Sequence, residues 1–187
     1  MVFIDHKGNL RIKIVIYGPV GSGKTTLLKR IVEMMAEKWK ARVNTIEDIE
    51  GNTLFFDFAP MQFRARPIAV DIFSVPGKRY HQHQRGTVLK GADVVVFLGD
   101  YTVGALDRNI ASLEELVTLI QKDTPVIIAM NKYDLVFRLD LSKLKKEIPE
   151  ELKVVKIMNV SALMGYNIEE VFKEALMIAI QSVSEAG

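Results

Sequence analysis

The chain has 187 residues, 49% of them apolar and 26% charged, with 25 basic and 23 acidic side chains for a net charge of +2. That length and composition fit one globular domain, 1–187, and the dispersed, nearly balanced charge gives no electrostatic basis for a DNA or RNA partner. Cysteine is absent, which excludes disulfides, cysteine zinc clusters and thiol catalysis and gives no sign of an oxidising compartment.

The chain opens Met1-Val2-Phe3-Ile4, a start that cannot be myristoylated. Turn residues from Asp5 to Asn9 and the β-branched run Leu10 to Tyr17 predict a hairpin whose second strand leads into Gly18-Pro19-Val20-Gly21-Ser22-Gly23-Lys24-Thr25. This segment matches G-x-x-x-x-G-K-[ST] at every fixed position. A strand-to-helix turn of this kind points successive backbone N–H groups inward, at the positive end of a helix dipole, and so forms a nest for phosphate. Gly21 and Gly23 let the chain approach the phosphates, Lys24 is the charge that reaches the β- and γ-phosphates, and the Thr25 hydroxyl is a hard oxygen ligand for Mg²⁺. Thr26 follows within the same site. The first helix is predicted over Lys24 to Lys38, with Leu28, Ile31, Val32 and Met35 on one face and Trp39 as a packing residue at its end.

A polar stretch from Arg42 leads to Thr53. The runs Thr53 to Phe58 and Ile68 to Phe73 predict an antiparallel pair, joined by a connector containing Pro60 and Pro67. After Ser74 to Arg85, Gly91-Ala92-Asp93 introduces a buried strand from Val94 to Leu98, and Leu106 to Ile120 predicts a helix with Leu113, Leu116, Val117 and Ile120 inward. The strand Val126 to Met130 delivers Asn131-Lys132-Tyr133-Asp134, an N-K-x-D cluster. Guanine offers N1–H and an exocyclic amine side by side, which one carboxylate accepts together; adenine offers neither arrangement. Asp134 is therefore the candidate reader of guanine, because buried hydrogen bonds left unpaired reject the wrong analogue strongly. Asn131 is expected to tie the base loop to the phosphate loop, and Lys132 to lay its stem over the purine. A short helix near Leu141 to Ile148, a strand from Val154 to Val160, Ser161-Ala162-Leu163 with the Ala162 N–H directed at guanine O6, and a helix from Asn167 to Ser182 complete the chain. The end, Ser184-Glu185-Ala186-Gly187, has no prenylatable cysteine, so no stable lipid anchor is expected.

With the phosphate loop and the N-K-x-D cluster in this order, the chain resembles the small GTPases of the Ras superfamily across nearly its whole length. The resemblance, with the alternating strand and helix patterns, implies an α/β fold, a P-loop NTPase of Ras-like three-layer sandwich form. Its sheet is expected to be mostly parallel, with one antiparallel edge strand and the extra N-terminal strand. It also implies that Thr53 ligates Mg²⁺ and senses the γ-phosphate, with Thr45 as fallback, and that Gly77 meets the γ-phosphate through its N–H. Family members carry D-x-x-G-Q where this chain has Ser74-Val75-Pro76-Gly77-Lys78. Ser74 replaces the aspartate that supports Mg²⁺, and Lys78 replaces the glutamine that orients the attacking water. Asp71 lies roughly 10 Å back along an extended strand with its side chain on the other face, and is read as a cross-strand or surface carboxylate.

The Val-Pro-Gly at this position, the Thr-Leu-Phe-Phe-Asp-Phe run and the added strand are similar to the prokaryotic MglA-type GTPases. Those carry Thr-Val-Pro-Gly-Gln, which Ser74 fits and Lys78 does not, and they often place an arginine just before the switch threonine, where this chain has Asn52. Gln82 or Gln84 is a candidate to orient water instead, and Arg79 or Arg85 to neutralise the γ-phosphoryl group; His81 and His83, two residues apart, lack a third metal ligand. The resemblance implies a cytoplasmic, monomeric switch that binds GTP or GDP with Mg²⁺ and hydrolyses GTP weakly through Lys24, Thr53, Gly77 and Lys78. Its partners are expected to be a protein effector and, by analogy, a roadblock-type GTPase-activating protein. The alternative is a GTP-binding scaffold or adaptor that scarcely hydrolyses.

Overall fold

Residues 3–6, 8–44, 57–75, 82–135 and 137–184 are described by the computed structural model. Their strands are β1 (Phe3–Ile4), β2 (Leu10–Tyr17), β3 (Trp39–Ala41), β4 (Asp57–Phe63), β5 (Ile68–Ser74), β6 (Val94–Asp100), β7 (Val126–Asn131) and β8 (Val154–Asn159). The helices are α1 (Lys24–Met35), α2 (Gln82–Leu89), α3 (Leu106–Leu119), α4 (Leu141–Lys146) and α5 (Ile168–Ser184). All the strands join one sheet of order β3-β4-β5-β2-β6-β7-β8, with β1 added antiparallel to the start of β2. From β5 to β8 the pairs are parallel, and β4 runs antiparallel to β5.

Alternation along β2 sorts the core into two layers. Ile12, Ile14 and Ile16 face the side covered by α1 and α5, with Leu28, Ile31 and Phe172, while Val15 and Tyr17 face the side covered by α2, α3 and α4, with Leu113, Leu116 and Leu144. The inner strand β6 is buried at every residue, as a parallel strand covered on both faces must be, and reads accordingly as an apolar run from Val94 to Leu98. This is the expected α/β class. Every crossover brings a strand's C-terminal end to the same rim of the sheet, and the loops that leave that rim meet there.

Three elements differ from expectation. The first helix ends at Met35, and Trp39, instead of closing it, opens the edge strand β3, antiparallel to β4. There its indole lies 4.8 Å from the Phe63 ring and 5.5 Å edge-on from Phe172 of α5, an aromatic burial that overrides the helix preference of Ala36, Glu37 and Lys38. The connector between β4 and β5 is only 64–67, because Pro60 lies inside β4. Proline is tolerated there because it falls between the β3 pairing, which begins at Met61, and the isolated bridge of Asn44 to Phe58. Helix α2 was not expected at all; Gly86, Thr87 and Val88 are poor helix formers. The predicted strand residues Thr53 to Phe56 lie outside the described residues. Helix α4 closes at Lys146, started by Asp140, which accepts from the Ser142 N–H at 2.9 Å, and ended by lysines that suit the helix dipole.

Candidate functional site

The phosphate loop leaves the end of β2 and enters α1. Gly18 lies so close to β6 that a Cβ would sit 2.3 Å from the Leu98 carbonyl oxygen, and Gly23, at φ 94°, leaves no room beside the Asn131 amide, 2.5 Å from the position of a Cβ. Both positions need glycine. Lys24 is buried and folds back over the loop, donating to the carbonyls of Gly18 at 2.9 Å and Pro19 at 2.8 Å. Burial, reinforced by the Arg85 guanidinium and opposed by Asp57, brings the Lys24 ammonium down to about 7. Val20 stands out at the tip of the loop, and Ser22 is buried beneath it.

Asn131, at the end of β7, joins three loops. Its amide donates to the Ser22 carbonyl at 2.7 Å, and its Oδ1 accepts from the Ala162 N–H at 2.9 Å. The tie to the phosphate loop is therefore present. The second bond joins the Ala162 N–H, at the wall of the same cavity, to the Asn131 side chain. Asp134 accepts from the Ser161 hydroxyl at 2.5 Å, and Ser161 in turn accepts from the Met164 N–H. Ser161 thus orients the carboxylate from below. Lys132 has φ 71°, a left-handed backbone uncommon for a side-chain-bearing residue, and its ammonium is held by Asp100 at 2.8 Å. Arg30 of α1 donates to the Ala162 and Leu163 carbonyls and fixes the third loop to the helix behind the phosphates.

Together these loops enclose a cavity of about 310 Å³, walled by Gly21, Gly23 and Thr26 on one side and Asn131, Lys132, Asp134 and Leu163 on the other. A larger groove, about 550 Å³, lies beside β3 and is lined by Arg11, Lys40, Arg42 and Asp71. It is not the candidate site, because Arg11 stands at the opposite end of β2 from Gly18, roughly 23 Å away at the strand rise. Asp71 is the cross-strand carboxylate expected, hydrogen-bonded by Arg11.

The sequence reading missed two acidic residues. Asp57, fully buried on β4, accepts from the Thr25 hydroxyl at 2.6 Å and pairs across the sheet with Ser74. A carboxylate therefore stands next to Thr25 although position 74 offers only a buried hydroxyl. An aspartate at an inward position of β4, in step with Ala59 and Met61, was the available signal. Asp100 faces Asn131 across β6 and β7 and gathers Lys132, the Thr102 N–H and the Thr102 hydroxyl. Burial alone would raise its carboxyl, but those hydrogen bonds outweigh it and hold it below the usual carboxylate range. Arg85, one of the two arginines proposed for the γ-phosphoryl group, is buried and paired with Glu115. Thr53, Gly77, Lys78, Thr45, Arg79 and His81 lie outside the described residues, and no group of three metal-ligating side chains occurs among those described.

A phosphate nest and an N-K-x-D loop locked together at one rim of a mostly parallel sheet define a P-loop GTPase domain. The family model of the elongation factor Tu GTP-binding domain matches residues 9–182, and the chain belongs to this family. It is 32% identical over 158 residues to the mutual gliding-motility protein MglA of Myxococcus xanthus, covering 79% of this chain and 81% of that protein. It is also similar to GTPase Era of Carboxydothermus hydrogenoformans, at 26% identity over 84% of this chain and 51% of Era. A further likeness is to the tRNA modification GTPase MnmE of Aquifex aeolicus, at 27% identity over 88% of this chain and 34% of MnmE. The chain thus spans about half or less of the last two relatives and most of MglA. It is a small GTPase similar to MglA, an enzyme that hydrolyses GTP, with GTP or GDP and Mg²⁺ as its cofactors.

Proposed function

We propose that the protein is a cytoplasmic guanine-nucleotide switch that hydrolyses GTP slowly on its own and presents its bound state to a protein effector. The observation that carries this reading is Asn131, which locks the phosphate loop to the base loops so that Asp134 and the glycine nest face one cavity. In this reading Asp134 accepts from the guanine N1–H and amine, Lys132 covers the ring, and Lys24 leaves the loop carbonyls for the β- and γ-phosphates. The remaining phosphate-loop N–H groups hold the charge that develops on the leaving diphosphate.

The donors present fit Mg²⁺: the Thr25 hydroxyl and the buried Asp57 carboxylate are hard oxygens held 2.6 Å apart beside the phosphate loop. Thr25 and Thr53 are the proposed ligands, and Asp57 supplies the supporting carboxylate that position 74 lacks. When bound, Mg²⁺ neutralises charge on the β- and γ-phosphates. Lys78 is the reason for slow hydrolysis. A glutamine amide both accepts from and donates to an attacking water, whereas an ammonium has no acceptor with which to aim it. Acceleration by a partner that supplies or arranges the missing group follows, a roadblock-type protein by analogy with the MglA-type relatives.

Single-turnover hydrolysis of GTP by the purified protein tests this reading. A slow conversion that a partner accelerates is the expected result; rapid turnover by the isolated chain would mean that Ser74 and Lys78 matter little. Lys78 also favours a second reading, a GTP-binding scaffold, whose mark is bound GTP that persists and that no partner hastens to GDP.

A further inference from the structure

Outside the nucleotide cavity, two side chains converge on one carboxylate oxygen. Tyr17, the residue before Gly18, donates its hydroxyl to Glu115 Oε2 of α3 at 2.6 Å, and Arg85 of α2 pairs with that same oxygen. Tyr17 and Arg85 are buried, and the Glu115 side chain is 22% exposed. An ion pair withdrawn from water in this way adds little net stability over apolar packing, so its clearest effect is to fix the geometry of the elements that carry it. Those elements are the end of the strand that launches the phosphate loop, the helix behind it, and α2.

Helix α2 needs such a tie. Its sequence Gln82-His83-Gln84-Arg85-Gly86-Thr87-Val88-Leu89 has weak helix propensity, and burial of Val88 and Leu89 anchors its last turn. Residues 76–81 join β5 to α2. Val75, the residue before them, is buried and donates its N–H to the Ile16 carbonyl at 3.1 Å. Helix α2 follows them, and Arg85 in its first half pairs with Glu115 of α3.

We propose that Arg85 is a positioning residue for GTP hydrolysis: through Glu115, which Tyr17 orients from the base of the phosphate loop, it sets the start of α2 relative to the phosphates. Its route is Glu115, the carboxylate that its guanidinium meets. The proposal rests on the hydrolytic reading and adds to it a residue that binding of GDP does not use.

The test compares wild type with Arg85→Ala, Arg85→Lys and Tyr17→Phe in single-turnover GTP hydrolysis, GDP affinity and thermal unfolding. Arg85→Ala is expected to lower the hydrolysis rate about tenfold or more while GDP affinity stays within about threefold of wild type. Arg85→Lys keeps a cation for Glu115 and recovers part of the rate. Tyr17→Phe keeps the ion pair and loses only the tie to the phosphate-loop strand, so its decrease is smaller. If Arg85→Ala does not fold, Glu115→Gln keeps the acceptor for Tyr17 and carries the same expectation. An Arg85→Ala enzyme as fast as wild type overturns the proposal, as does a parallel loss of rate, GDP affinity and stability in both Arg85 variants. A wild type that hydrolyses no GTP removes the hydrolytic reading itself, and the proposal with it.

Discussion

At position 57 a wholly buried carboxylate meets the Thr25 hydroxyl at 2.6 Å, on a strand where its inward neighbours are Ala59 and Met61. A carboxyl group in such surroundings is retained at a cost, and the Mg²⁺ proposed at Thr25 would give it a purpose. Asp57→Asn is therefore expected to weaken GDP binding about tenfold in the presence of Mg²⁺ and to leave binding in EDTA nearly unchanged, read by titration of a fluorescent GDP analogue. Equal losses in both conditions would deny Asp57 a role at the metal. On the base side, Asp134→Ala removes the acceptor that Ser161 orients, and GTP affinity should fall by about 100-fold with the fold intact. Gly18 to Thr25 and Asn131 to Asp134 were legible because their chemistry depends on spacing along one segment. Asp57 and Asp100 were not, because each acquires its partner from strand register: Asp57 through its place opposite Ser74, Asp100 through its place opposite Asn131.

Elements governed by periodicity were read within a few residues, as with α3 at Leu106–Leu119 and β8 at Val154–Asn159. Elements that tertiary contacts create were not. Strand β3 exists because Trp39 has Phe63 and Phe172 to bury against, not because Trp39-Lys40-Ala41 is strongly strand-forming. Trp39→Ala should cost about 3–5 kcal/mol of unfolding free energy in urea titration, as large aromatic truncations in a core do. A loss near zero would mean that β3 is not anchored by this residue. Helix α2 is a second such case: Arg85 and Glu115, 30 residues apart in the chain, supply what local propensity does not.

At the scale of the molecule, the sheet carries all its binding loops to one rim, and the two core layers meet the site through different elements. The α1 and α5 layer holds Arg30 and the third loop; the α2 and α3 layer holds Tyr17, at the base of the phosphate loop, and Arg85, both joined to Glu115. Tyr17 gives this second layer a pH signature. Burial first, then its hydrogen bond and proximity to Glu115, raise its phenol well above the ordinary value of 10. Above that value an unfolded tyrosine has lost its proton while the folded one keeps it, so the folded state binds more protons and stability falls as pH rises. Denaturant titrations of the wild type should show this alkaline loss beginning near pH 10, and Tyr17→Phe should remove that part of it; an unchanged profile in the variant would assign the loss to other groups.

The central claim is that one cavity, locked by Asn131 and read by Asp134, selects guanine. Equilibrium competition between GTP and ATP for the purified protein at fixed Mg²⁺ tests it most directly. The account predicts that ATP competes about 1,000-fold more weakly or worse, because an adenine ring leaves the Asp134 carboxylate without donors. Comparable affinities for the two nucleotides would contradict it.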